Sequence, residues 1–187
     1  MGAGGEGWVG EDGGESGVTM QRMFEFTLFA DYFQFYLQDE SSSGDLSDSW
    51  TQEAVDRLLA IAPGTIGVGT VRNMKVRVTV EIEDEEPAED LALWDQVNEC
   101  SIDVPSGRLV VAGCTDYFPD APRIELQPGP YRARICYRNL DKLSLSADGL
   151  EGDDSYRIVL SRMSPEPFRT VKGRTNQKAD KLSLIHI

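Results

Sequence analysis

From Met74 to Ile82 the sequence alternates without a fault: Met74, Val76, Val78, Val80 and Ile82 share one side, and Lys75, Arg77, Thr79 and Glu81 share the other. That is the period of a strand with one dry and one wet face, so the segment predicts a core strand of an antiparallel sheet. The rest of the chain has to fold around it. The Arg72-Asn73 step just before it has no packing reason of its own and asks for a turn or a partner.

Other segments share the pattern. Phe24, Phe26 and Leu28 alternate, then Phe33, Phe35 and Leu37 resume after Ala30-Asp31, which predicts two strands or one strand broken by a bulge. Tyr32, Gln34, Tyr36 and Gln38 form the opposite face. Tyrosines suit protein interfaces because they bury area at low entropic cost, although cross-strand pairing on an exposed sheet face is the plainer account. Ser49 and Gln52 have capping-box spacing, and Trp50, Ala54, Val55, Leu58, Leu59 and Ala62 follow at helical spacing until Pro63-Gly64. One amphipathic helix is expected there. Gly67 and Gly69 alternate in the short strand after it, leaving room for the helix or a neighbouring backbone. Val97–Val104 and Arg108–Cys114 predict a hairpin about Pro105-Ser106-Gly107, and Arg123–Leu126, Tyr131–Arg138 and Ser155–Arg162 read as strands, the last closing the sheet. Arg132, Arg134 and Arg138 are expected to pair with acidic neighbours across strands, at roughly 0.2–1 kcal/mol each. The expectation is a mainly β fold: a single β-sandwich-like domain, residues 23–162, of about eight antiparallel strands with one amphipathic helix.

The ends read differently. Residues 1–18 hold eight of the 18 glycines, and 1–22 is expected to be disordered or a misassigned start, without the apolar run of a signal peptide. Residues 163–187 are expected to be a solvated, disordered tail whose last six, Leu182–Ile187, match a translated sequencing adapter. On that reading His186, the single histidine, is not native, and mechanisms that need an imidazole fall away. Charge survives trimming: between Phe24 and Arg162 there are 26 Asp and Glu against 12 Lys and Arg, giving the −14 of the whole chain. Such a field disfavours nucleic acid as a direct ligand and an anionic membrane surface, and no apolar run approaches the roughly 20 residues needed to span a bilayer. A cytoplasmic protein with a basic protein partner is favoured, solubility being the plainer reason for the charge. Cys100, Cys114 and Cys136 are odd in number and lack CxxC spacing, so they read as free thiols. No cofactor motif is present, and no catalytic residue or metal ligand is assigned.

Two loops stand out. Glu83–Asp90 is the densest acidic run, either solvated or a lure for Lys and Arg on a partner. Cys114–Pro122 sets Asp116 and Asp120 about Tyr117 and Phe118, as an acid–base pair, an interaction loop or a cover for a sheet edge. Several fragments taken in order resemble the bacterial competence protein J family, whose described member inhibits a partner nuclease. They are Tyr32-x-Gln34-Phe35, Trp50-Thr51-x-Glu53-Ala54-Val55, Gly64-x-Ile66, Arg72-Asn73 and Gly129-x-Tyr131. Order and spacing agree over Tyr32–Asn73 and thinly beyond it, and the two acidic loops are longer here. The resemblance implies a non-enzymatic nuclease inhibitor or immunity protein, and an acidic surface suits a basic, phosphate-binding cleft. Candidate contacts are Tyr32, Gln34, Tyr36, Arg72, Asn73, Glu83, Asp84, Glu85, Glu86, Asp116, Tyr117 and Asp120. A generic β-sandwich interaction or ligand module is the alternative.

Overall fold

The computed structural model describes residues 21–88, 90–143 and 151–174, so the expectations for residues 1–20 and for the terminal hexapeptide lie outside the described residues. The described elements are β1 (Arg22–Phe29), β2 (Gln34–Asp39), α1 (Gln52–Asp56), β3 (Leu59–Ala62), β4 (Thr65–Gly69), β5 (Lys75–Glu83), β6 (Gln96–Val104), β7 (Arg108–Gly113), β8 (Arg123–Glu125), β9 (Gly129–Arg138), β10 (Ser155–Ser161) and β11 (Arg169–Lys172). They form a six-stranded sheet, β1-β5-β10-β9-β6-β11, and a five-stranded sheet, β3-β4-β2-β7-β8. The fold is mainly β, as the alternation requires. Val76, Val78, Val80 and Ile82 of β5 bury their dry face against Phe35, Leu37, Ile66, Val68, Leu109 and Val111 of the other sheet. The break at Ala30-Asp31 separates two strands that belong to different sheets.

Several sequence expectations change. The helix is only one turn and a half: Thr51 caps it by accepting from the Ala54 N–H at 3.3 Å, and Leu58 takes the left-handed backbone (φ 57°) that ends it. Leu59–Ala62 then pairs as β3 with β4, because Leu59 and Ala60 are buried by the sheet rather than by a helix face. The expected hairpin about Pro105–Gly107 is a corner between sheets: β6 pairs with β9 and β11, whereas β7 pairs with β2 and β8. Its Gly107 (φ 69°) accepts from the Leu126 N–H, and the buried Asp39 carboxylate accepts from both the N–H and the hydroxyl of Ser106. β10 does not close its sheet but lies inside it, antiparallel to β9 and parallel to β5, so the sheet is mixed. Within the expected tail, Arg169–Lys172 adds an edge strand to β6, held by the Arg169–Glu99 ion pair.

A buried ionic cluster joins the sheets. Arg72 donates from Nε to Asp154 at 2.5 Å, Tyr156 donates its hydroxyl to the same carboxylate at 2.8 Å, and the Val71 N–H donates to the Tyr156 oxygen at 3.1 Å. The Tyr156 ring meets Phe35 of the facing sheet and Tyr137 of its own edge-on, with centroids 5.7 and 5.9 Å away.

Removing one partner of a buried ion pair costs about 3–5 kcal/mol because the other charge stays buried. Arg72→Met should therefore lower the denaturant-unfolding free energy by about that amount, and adding Asp154→Leu should restore part of it. Acid acts elsewhere. Burial pushes the Asp39 carboxyl up, but hydrogen bonds from Ser106 and Ser41 outweigh this and hold it below its ordinary 3.8. A carboxyl lowered by folding stabilises above its unfolded pKa and loses that stabilisation as pH falls through the folded one. Asp39→Asn should accordingly flatten the loss of stability below about pH 4, read as a smaller shift in unfolding midpoint across that range.

Candidate functional site

Between β1 and β2 the chain turns in four residues, and Tyr32 (φ 55°) and Phe33 (φ 59°) both take the left-handed backbone. For residues with a Cβ this costs about 1–2 kcal/mol each. The surroundings impose it. The Ala30 N–H donates to the Met74 carbonyl at 2.9 Å, the Phe33 N–H to Ala30 at 3.1 Å and the Thr70 N–H to Phe33 at 2.8 Å, while the Tyr32 N–H donates to the Asp31 carboxylate at 3.0 Å. The result is two outward-facing rings, Tyr32 at 71% and Phe33 at 54% exposure. Tyr117, 70% exposed, belongs to the neighbouring loop. That loop is brought close because β7 ends on Gly113, where a Cβ would stand 2.2 Å from the Phe29 carbonyl oxygen. Asp116 closes the loop by accepting from the Gly113 N–H at 2.8 Å.

Next to this end, the outer face of the five-stranded sheet carries a cleft of about 570 Å³. β2 supplies its floor through Gln34, Tyr36 and Gln38, the Ser42–Trp50 segment supplies one wall, and Cys114 and Phe118 supply the other. Gly67 makes the first wall possible, since a Cβ there would meet Leu46 at 2.8 Å and Trp50 at 2.9 Å. The second wall rests on Val110 and Ala112, over which Phe118 and Tyr36 pack. The cleft lies in a negative field. Burial, then Asp31 and Asp116, push the Cys114 thiol up, and burial, then Cys114 and Asp116, do the same to the Tyr36 phenol.

The chain matches no known family model and no curated protein sequence. Its fold is that of two solved structures. One is ComJ of Bacillus subtilis, an inhibitor of the DNA-degrading activity of NucA, at 18% identity over 78% of this chain and 98% of the other, with a TM-score of 0.57. The other is the crocagin biosynthetic gene J product, at 24% identity over 78% and 99%, with a TM-score of 0.55. The likeness expected from the Tyr32–Asn73 fragments is thus a likeness of fold.

Of the residues singled out in sequence, Tyr32, Gln34, Tyr36, Asp116, Tyr117 and Asp120 come together at this end and face, and exposed Asn73 lies in the 70–74 segment that holds the turn. Arg72 is 7% exposed and engaged with Asp154. Glu83 ends β5 and Asp84–Glu86 follow it, about 26 Å from the strand's start at the rise of an extended strand. The protein's own arginines gather around this run, although Asp84 and Glu85 stay exposed. Arg157 is bidentate on Glu81 (2.7 and 2.8 Å) and reaches Asp90 at 3.2 Å, and Arg134 binds Glu99 at 2.7 Å and the carbonyls of Pro87 and Ala88. Arg132 pairs with Glu166 and lies 3.9 Å from Glu86. Among the described residues no cluster of three or more His, Cys, Asp or Glu could hold a metal ion. Phe33 was missed in sequence because strand alternation assigned it inward.

The cysteines provide a chemical check. Cys100 and Cys136 are buried and pushed up to about 12, chiefly by that burial, whereas Cys114 is half-buried. Native protein treated with iodoacetamide near pH 8 should take one equivalent, on Cys114, and the other two only after denaturation, read by peptide mass spectrometry.

Proposed function

We propose that this chain is a non-enzymatic binding protein that inhibits a nuclease, presenting its exposed aromatic and acidic end to the basic cleft in which the nuclease holds phosphate. The observation that carries the reading is the strained turn. Tandem left-handed aromatics, held outward by four hydrogen bonds beside Tyr117, make a rigid projection of the kind found at interface hot spots. Asp31, Asp116 and Asp120 surround it with charge opposite to that of a phosphate-binding cleft. The fold of ComJ, an inhibitor of NucA, supports the same reading. The crocagin neighbour favours a second one, a binding module whose partner is not a nuclease, since the same frame serves there in a biosynthetic setting.

A panel of purified bacterial DNA and RNA endonucleases separates the two. Stoichiometric loss of cleavage by one of them, weakened about tenfold between low and moderate salt, is expected of the inhibitor. Tyr32→Ala and Tyr117→Ala should each weaken inhibition by about 10–30-fold, whereas charge reversal at Asp84 and Glu85 should change it by less than about threefold. Equal effects at both places would reassign the contact face.

A further inference from the structure

The cleft beside the turn has a chemistry of its own. Its walls and floor bring three aromatic rings, Tyr36, Trp50 and Phe118, together with the amides of Gln34 and Gln38 and the hydroxyls of Ser42, Ser43 and Ser47. None of the residues lining it is basic. Gln38 is fixed by donating to the Ser42 carbonyl at 2.9 Å, so floor and wall are braced against each other. Asp116 stands at the rim, anchored to the Gly113 N–H; burial chiefly, and Asp116 to a smaller degree, raises the thiol and phenol within.

From this arrangement we infer that the cleft is a receptor for a guanidinium group, the side chain of an arginine on the protein partner. A guanidinium is planar and weakly hydrated, so it lies flat on aromatic faces and loses less hydration on entry than an ammonium does. Its edge donors meet amide and hydroxyl oxygens of the kind lining this cleft, with the Asp116 carboxylate at the rim. A volume of about 570 Å³ accommodates one such side chain with its flanking backbone. An anion would meet Asp116 at the rim, and a purely apolar group would leave the Gln34 amide and the Ser43 hydroxyl unmatched, whereas Gln38, Ser42 and Ser47 are already bonded within the chain. The inference rests on the reading of this chain as a binder of a basic protein, and it adds which part of that partner is held and where.

Cys114 lines the cleft and reports occupancy without any nuclease. The full-length chain is treated with iodoacetamide alone, or with about 20 mM of an acetylated and amidated Gly-Arg-Gly peptide, its lysine counterpart or its citrulline counterpart, and Cys114 alkylation is followed by mass spectrometry. Citrulline keeps the shape of arginine and lacks the charge. The arginine peptide should slow alkylation about fivefold, the lysine peptide less, and the citrulline peptide not measurably. Asp116→Asn keeps an acceptor for the Gly113 N–H and should reduce that protection to under about twofold. No protection by arginine, or equal protection by citrulline, overturns the inference; equal protection by lysine overturns the guanidinium assignment. Protection with no nuclease inhibited in the panel leaves the cleft and removes the inhibitor reading, whereas inhibition without protection does the reverse.

Discussion

The end of the molecule that carries the candidate site hangs on the buried contact between Arg72 and Asp154. A strand that leaves β4 must cross to the other sheet before β5 begins, and residues 70–74 make that crossing. Arg72 fixes them to the segment entering β10, Tyr156 fixes them again through the Val71 N–H, and Thr70 donates its hydroxyl to the Arg72 carbonyl at 2.8 Å. The segment so held supplies the acceptor at Met74 and the donor at Thr70 that clamp Ala30 and Phe33. The order of dependence runs from a buried charge pair to a crossover, to a strained turn, to two exposed rings. Burying an ion pair is a poor way to gain stability but a good way to fix geometry, since few alternative arrangements satisfy both charges.

Charge is distributed by the same logic. A net −14 suggests a uniformly acidic surface, yet the outer face of the six-stranded sheet neutralises itself through Arg132, Arg134 and Arg157 and the carboxylates that fold over them. On the five-stranded sheet, Glu40 is occupied by Arg108 and Arg123, but Asp45, Asp48, Asp116 and Asp120 are exposed around the cleft. Exposed carboxylates therefore stand on the cleft side as well as at Asp84, Glu85 and Glu86 of the densest acidic run.

The core was legible because it needs only alternation: Val76, Val78, Val80 and Ile82 face inward as their period demands, and Gly67 and Gly69 make the close approaches that their spacing implies, against Trp50 and Leu58. Connectivity was not. Whether two successive strands pair with each other or cross between sheets depends on the corner, and Asp39 binding Ser106 across 67 residues has no local signal. Leu59 and Ile61 fit a helical stripe and a strand face equally well, and pairing with β4 decided between them. The aromatic residues of the site were half legible. Tyr32, Tyr36 and Tyr117 drew notice as tyrosines, whereas Phe33 shows its role only once its backbone is seen to be left-handed.

A frame specified by alternation is tolerant, because any sequence with apolar residues on the dry face and small residues at the close contacts can build it. That is why chains only 18% and 24% identical to this one share its two-sheet architecture over nearly their whole length. The tolerance also limits what the frame can say about partners. Side chains that the sandwich does not need carry the distinguishing information, and at the β1–β2 turn the sandwich bears a cost to keep them outward. A phenylalanine and two tyrosines exposed beside an aromatic cleft, with Asp116 at its rim, contribute little to folding, so the core does not account for their placement.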